Sequence, residues 1–155
     1  MRRLDKEIKD PAILNEILYQ SQVVRIAFSI DNIPHIIPLS YGYKNNKLFI
    51  HSATQGSKIE MIKQNDYICF EMELFSEVVK DKLACNWTTK YRSIIGWGRI
   101  SIVNKTKEKI DGLNVIMEKY GERHNHTYHE RSLENMVLLI IEIDHFTGKQ
   151  SGEWK

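Results

Sequence analysis

Cysteine is scarce in this 155-residue chain, which carries only Cys69 and Cys85. They have no C-x-x-C spacing, so the sequence indicates neither a disulfide framework nor a thiolate zinc site. Both read as reduced cytosolic thiols, and Cys85 reads as buried and inert more readily than as a nucleophile. Long apolar runs are also missing. The longest, residues 136–141, falls far short of the ~20 residues a membrane-spanning helix needs. Arg2 and Arg3 are followed by Asp5, Lys6, Glu7 and Lys9 where a signal peptide would turn apolar, so export is not expected and a cytoplasmic location is. Nor does charge of one sign accumulate. The 22 Lys and Arg against 20 Asp and Glu leave a net charge of +2, which calls for neither a nucleic acid nor an anionic membrane as partner. With only 8 Gly and 3 Pro, collagen-like and disordered classes are excluded. What remains, 42% hydrophobic and 27% charged residues, is the composition of a globular protein, and the length fits one domain over residues 1–155. The three glycosylation sequons, at Asn86, Asn104 and Asn125, are chance matches in a chain without a secretory signal.

Asp10-Pro11 is a helix entrance, since Asp can cap free amides and Pro suits the first helical position; apolar residues at Ile13, Ile17 and Leu18 carry that helix to about Ser21. Residues 23–30, 35–43 and 47–52 are β-branched or aromatic runs, separated by Asp31-Asn32 and Asn45-Asn46. Those interruptions predict an antiparallel meander of three strands. A helix of about two turns follows Gly56-Ser57, and strands are expected at 67–74, 93–103 and 136–146, with residues 76–90 showing no period. The last of these, with its unbroken apolar run, should be buried on both faces. Gly96 and Gly98 predict a bulge or a close approach, and Pro38 must lie at an edge or a bulge. Residues 106–120 form an amphipathic helix in which Thr106 is expected to cap, with Lys109 and Lys119 solvated. Strands in consecutive hairpins disfavour a parallel α/β fold. The expected class is mainly β with short helices: about six strands in a small antiparallel barrel that closes its own edges.

The richest stretch chemically is residues 49–58, which leaves a strand, passes three hydroxyl side chains, turns at Gly56 and enters a helix beside Lys58. Free amides and the positive end of the helix dipole attract phosphate, and Lys58 adds charge. Taken alone, this segment is accounted for better by an ordinary strand-to-helix turn with a solvated lysine. The Walker A and Rossmann glycine patterns are absent, as are His-Glu-x-x-His and Gly-x-Ser-x-Gly. His51 stands at the strand end, where it reads as a structural histidine or as a group facing an anion or a ring. Residues 86–99 gather aromatics, cations and hydroxyls, which on a barrel would also suit single-stranded nucleic acid; the balanced charge argues against it. His124, His126 and His129 have the ring nitrogens for a transition metal but no accompanying carboxylate pattern, so no metal site is assigned.

Segments 1–8, 34–42, 49–53, 56–58, 91–99 and 147–149, taken in order and spacing, resemble the FMN-binding split barrels related to pyridoxamine 5′-phosphate oxidase, and among them the 5-nitroimidazole resistance type. The resemblance covers nearly the whole chain. It implies a six-stranded split barrel and a homodimer with flavin mononucleotide, FMN, at the subunit interface. Ser52, Ser57 and Lys58 would hold the phosphate, the backbone of Ile37, Pro38 and Leu39 would face the polar ring edge, and His51 would lie beside the ring. Tyr91, Ser93 and Ile95 would complete the site from the partner subunit, with His35 and Trp97 along the substrate cleft. His35 stands where relatives carry an aromatic such as Tyr. An Arg-rich substrate-binding tail like that of the oxidases proper is missing from residues 151–155, which disfavours that particular oxidation. The implied activity is transfer of electrons from NAD(P)H to a small acceptor such as a nitroaromatic; a split barrel that holds flavin or haem without turnover is the alternative.

Overall fold

In the computed structural model, which describes residues 3–121, 126–152 and 154, eight strands form one antiparallel sheet. They are β1 (Glu7–Ile8), β2 (Val24–Ile30), β3 (Ile33–Leu39), β4 (Gly42–Lys44), β5 (Lys47–Ala53), β6 (Tyr67–Val79), β7 (Thr88–Val103) and β8 (Met136–Ser151). The helices are α1 (Pro11–Gln20), α2 (Ser57–Gln64), α3 (Thr106–Tyr120) and the short α4 (Glu130–Glu134). The strand order is β3-β2-β6-β7-β8-β5-β4, with β1 paired to β8. A single apolar cluster is built from β2, β5, β6, β7 and β8 together with Ile17 and Leu18 of α1 and Ile59 and Ile62 of α2. This is the open sheet of a split barrel. Six strands are long, as the periodicity indicates, and β1 and β4 are short additions.

The Asp10 carboxylate accepts from the Ala12 amide at 2.8 Å, so the predicted cap is in place. Asp10→Ala should cost about 1 kcal/mol, read as a shift of the urea midpoint with an unchanged slope. Asp31, Asn32, Asn45 and Asn46 all have positive φ, as two-residue hairpin turns demand, and β2–β3 and β4–β5 pair as hairpins. The three-strand meander, however, does not form. The run 35–43 breaks at Ser40-Tyr41, and β3 and β4 end up at opposite ends of the sheet. Tyr41 is the reason: it is fully buried, and its hydroxyl donates to the Leu18 carbonyl at 2.8 Å, which drives the chain across the core. The edges are consequently not closed by strand pairing. Pro38 sits on edge strand β3, as its missing N–H requires.

Residues 76–79 and 88–90 are regular: β6 and β7 run on as a two-stranded ribbon to Val79 and Thr88, with Phe75 and Val78 exposed along it and Leu83 and Trp87 exposed in the connection between them. Cys85, near its tip, is exposed rather than buried. The register of β7 against β8 shifts between Trp97 and Gly98, where the glycines predicted a bulge. In α3 the N-cap position is Lys105, which makes no side-chain cap bond, and Thr106 is the first helical residue. Lys109 is 5% exposed and donates to the Leu133 carbonyl at 2.7 Å, tying α3 to α4. Lys119 is half-buried against the Tyr41 ring. Both were expected in solvent; long lysine stems let their heads reach acceptors beneath a neighbouring element.

Candidate functional site

β5 delivers the chain to α2 through residues 54–56. Strand alternation puts Leu48, Ile50 and Ser52 on the buried face and His51 and Ala53 on the exposed one. Ser52 and His51, neighbours in sequence, therefore point to opposite sides of the sheet. Gly56 has φ 123°, and no atom lies within 4 Å of where its Cβ would be, so the turn needs glycine for its backbone angle and not for space. The Ile59 and Glu60 amides both bond back to the Gly56 carbonyl, while the Ser57 and Lys58 amides have no backbone acceptor among the described residues. These are the unpaired donors of a helix start.

Lys58 is half-buried, and burial pushes its ammonium pKa down. Glu60, the acidic residue of the same turn, is taken by Lys63 at 3.0 Å. Lys58 forms no ion pair with any described residue. A cation that has lost water without gaining a carboxylate, beside two free amides and the exposed Ser57, makes a place where an anion would be favoured. The far end of α2 is fixed by Asn65, whose side chain donates to the Ser29 carbonyl of β2 at 3.0 Å.

β3, paired on one side to β2 only, leaves its other backbone edge free. Along it His35 and Pro38 are exposed, and Ile37 and Leu39 are half-buried. Tyr91, Ser93, Ile95 and Trp97 alternate along β7 and share one face of the sheet. Trp97 stacks on His145 of β8, ring centroids 4.9 Å apart and planes 13° from parallel. Beside the pair, across the Cys69–Trp97 register, lies a depression of about 240 Å³ lined by Ala27, Ile36, Cys69 and Phe70 and by the ion-paired Arg25 and Glu71. His145 did not stand out in the sequence; its only signal is its place after the apolar run of β8.

The predicted residues do not all meet within one chain. His51 is level with Leu138 on β8, whereas Ile95, Ser93 and Tyr91 are level with Thr147, Lys149 and Ser151. The smallest of these offsets is nine residues, about 30 Å of strand at ~3.3 Å per residue. The α2 entrance and the β7 face thus lie apart within one chain. Of the histidine triplet, His124 lies outside the described residues, His126 is half-buried and His129 is exposed. Among the described residues, no group of three His, Cys, Asp or Glu side chains is placed to hold a metal ion. No described helix is long and apolar enough to cross a membrane.

Comparison with known proteins bears on this arrangement. No curated protein sequence matches the chain. Among solved structures, a Bacteroides thetaiotaomicron protein assigned provisionally to 5-nitroimidazole antibiotic resistance superposes with a TM-score of 0.82 at 25% identity, over 92% of this chain and 85% of that one. A Mycobacterium smegmatis protein described as binding FAD and haem gives 0.85 at 18% identity, over 96% of this chain and 75% of that one. A flavocytochrome from Azotobacter vinelandii gives 0.83 at 16% identity, over 99% and 72%. The last two, at such low identity, establish the shared fold alone. The family model described as pyridoxamine 5′-phosphate oxidase matches residues 10–150, nearly all of the sheet together with the α2 entrance and the β7 face, and the chain belongs to that family.

Proposed function

We propose that this chain binds flavin mononucleotide as a homodimer in the cytoplasm and passes electrons from NAD(P)H to a small acceptor, with nitroaromatics as the first class to test. The observation that carries the reading is Lys58, a half-buried cation without a carboxylate at the amide-bearing start of α2. A phosphate monoester placed there would accept from the Ser57 and Lys58 amides and offset the charge. The separation of the α2 entrance from the β7 face supports the dimer: a second copy is the simplest way to bring Tyr91, Ser93 and Ile95 opposite His51. The similarity to the Bacteroides protein supports the choice of acceptor.

When bound, a flavin supplies the redox chemistry, accepting a hydride from a nicotinamide and returning electrons to an acceptor. The chain's own residues would do the rest. Ser52, Ser57 and Lys58 hold the phosphate, the free edge of β3 at Ile37, Pro38 and Leu39 offers backbone groups to the polar ring edge, and His51 stands on the exposed face of β5 beside it. His35 and Trp97 border the open side.

Protein purified without added cofactor should show flavin absorption that bleaches on anaerobic addition of NADH or NADPH and returns with a nitroimidazole, and extraction should release FMN rather than FAD. A Soret band without flavin would replace this reading with haem binding. Bound flavin that neither nicotinamide reduces would leave a carrier without turnover. Colourless monomer that takes up no flavin would overturn it altogether.

A further inference from the structure

The pairing registers align one row of residues across the sheet, on the face turned away from the core: Ile36 on β3, Ala27 on β2, Cys69 on β6, Trp97 on β7 and His145 on β8. Neighbouring strands lie ~4.8 Å apart, so about 14 Å separates the backbones at Ile36 and Trp97, with only the short Ala27 and Cys69 side chains between them. Trp97 stacks on His145, on the side away from Cys69. The space left between is the depression of about 240 Å³. Exposed Ile36 walls it on the β3 side, and Arg25 and Glu71, the next pair along β2 and β6 on the same face, form its polar rim.

The rim selects the chemistry of what can sit there. Arg25 Nη1 donates to Glu71 Oε2 at 3.0 Å, and Nη2 lies 3.5 Å from Glu73 Oε1. One cation between two carboxylates leaves this margin with an excess of negative charge, which disfavours an anion. A guanidinium has five N–H donors and a carboxylate about four lone-pair sites, so both partners keep bonding capacity after pairing with each other. Arg25 and Glu71 thus present a donor beside an acceptor at the edge of an apolar floor. A primary carboxamide is the complement of such an edge: its oxygen accepts, its nitrogen donates, and it carries no charge.

We propose that this depression binds a small, uncharged planar ring bearing a carboxamide, with the ring on Ala27 and Cys69, the amide oxygen accepting from Arg25 and the amide nitrogen donating to Glu71. That the ring is the nicotinamide of the reductant rests on the function proposed above. Ile36 belongs to β3, whose next residues, Ile37, Pro38 and Leu39, form the edge assigned there to the flavin, so the two sites adjoin along one strand. The depression itself is built from β2, β3 and β6 and owes nothing to the α2 entrance. It can therefore be tested without flavin.

Cys69 reports occupancy, and the exposed Cys85 is the reference within the same chain. Flavin-free protein is labelled with limiting iodoacetamide at about pH 8.5, since burial pushes the Cys69 thiol up, and both cysteine peptides are quantified by mass spectrometry. Nicotinamide at about 20 mM should slow Cys69 by about threefold or more and leave Cys85 unchanged. Nicotinate, an anion with no amide donor, should slow neither. Ala27→Leu, which fills the floor, should abolish the protection; in FMN-loaded protein it should raise the KM for NADH by about tenfold while FMN affinity stays within about twofold. No protection by nicotinamide, or equal protection by nicotinate, would overturn the site. So would a Cys69 that reacts only after unfolding, since a second copy of the chain would then cover this face. Protection in a protein that takes up no FMN would keep the site and remove the flavin reading; FMN reduced by NADH without such protection would do the reverse.

Discussion

Lys58→Ala is expected to weaken FMN binding by about tenfold to hundredfold, the loss that follows from deleting a charge-assisted contact of ~1.5–3 kcal/mol. The side chain is half-buried and forms no ion pair with any described residue, so its removal strands no described carboxylate and the fold should tolerate it. Lys63→Ala is the matching control. It removes a cation from the same helix, but one that is exposed and already paired with Glu60 at 3.0 Å, and the affinity should stay within about twofold. Titration of flavin-free protein with FMN, followed by quenching of flavin fluorescence, measures both. Equal affinity in Lys58→Ala and the unaltered protein would remove the phosphate from the start of α2. The dimer proposal could then be judged separately, from sedimentation of the same samples.

Gly98→Ala should be the most damaging single-methyl change in the sheet. The added Cβ would run into the Glu142 backbone carbonyl oxygen, and backbone in the middle of a paired strand cannot swing aside as a side-chain tip can. Relief requires β7 and β8 to move apart at the bulge, where each also carries core side chains such as Ile100 and Ile141. A cost of about 3 kcal/mol follows from comparable overpacking, equivalent to a fall in Tm of roughly 6–12 °C for a chain of this size. Gly121→Ala is the contrast. That glycine's Cβ would meet Met117 alone, its carbonyl oxygen at 3.3 Å and its terminal methyl at 3.7 Å, just past the C-terminal end of α3, and the variant should melt within about 2 °C of the parent. If the two variants melt alike, the close approach at Gly98 is not what fixes the bulge.

Local chemistry made much of this fold legible. Asp10 and Pro11 announced α1, paired Asp and Asn residues announced both hairpins, and Gly96 and Gly98 announced the irregularity in β7. Each is a short-range signal, read from a few adjacent residues. What escaped depended on distant partners. Nothing near Ser40-Tyr41 reveals that Tyr41 will bond to Leu18 beneath the sheet, so an apparent strand of nine residues became two strands at opposite ends. The β6–β7 ribbon was hidden because a two-stranded arm in solvent has no buried face, and alternation needs one to show. Lys109 and Lys119 passed as surface residues because a lysine's sequence neighbours do not say what its long stem will lie against.

The turn at the start of α2, where we place the phosphate, was likewise legible as a strand-to-helix turn, since it is built from consecutive residues. The β7 half was not: no reading of residues 91–97 by themselves sets them apart from a surface strand, and His145, which stacks on Trp97, comes 48 positions later in the chain. Only the family resemblance singled out Tyr91, Ser93 and Ile95.

The strand that joins the rest has a kinetic corollary. β8 binds β1, β5 and β7, yet it follows all three in the chain, and β5 lies some ninety residues ahead of its partner. During synthesis the first half of the chain therefore has no neighbour to settle against on that side until residues 136–151 have left the ribosome. Loop closure of that span makes folding slow for its size. Until it happens, Leu48 and Ile50 remain uncovered and open to chaperones or to self-association.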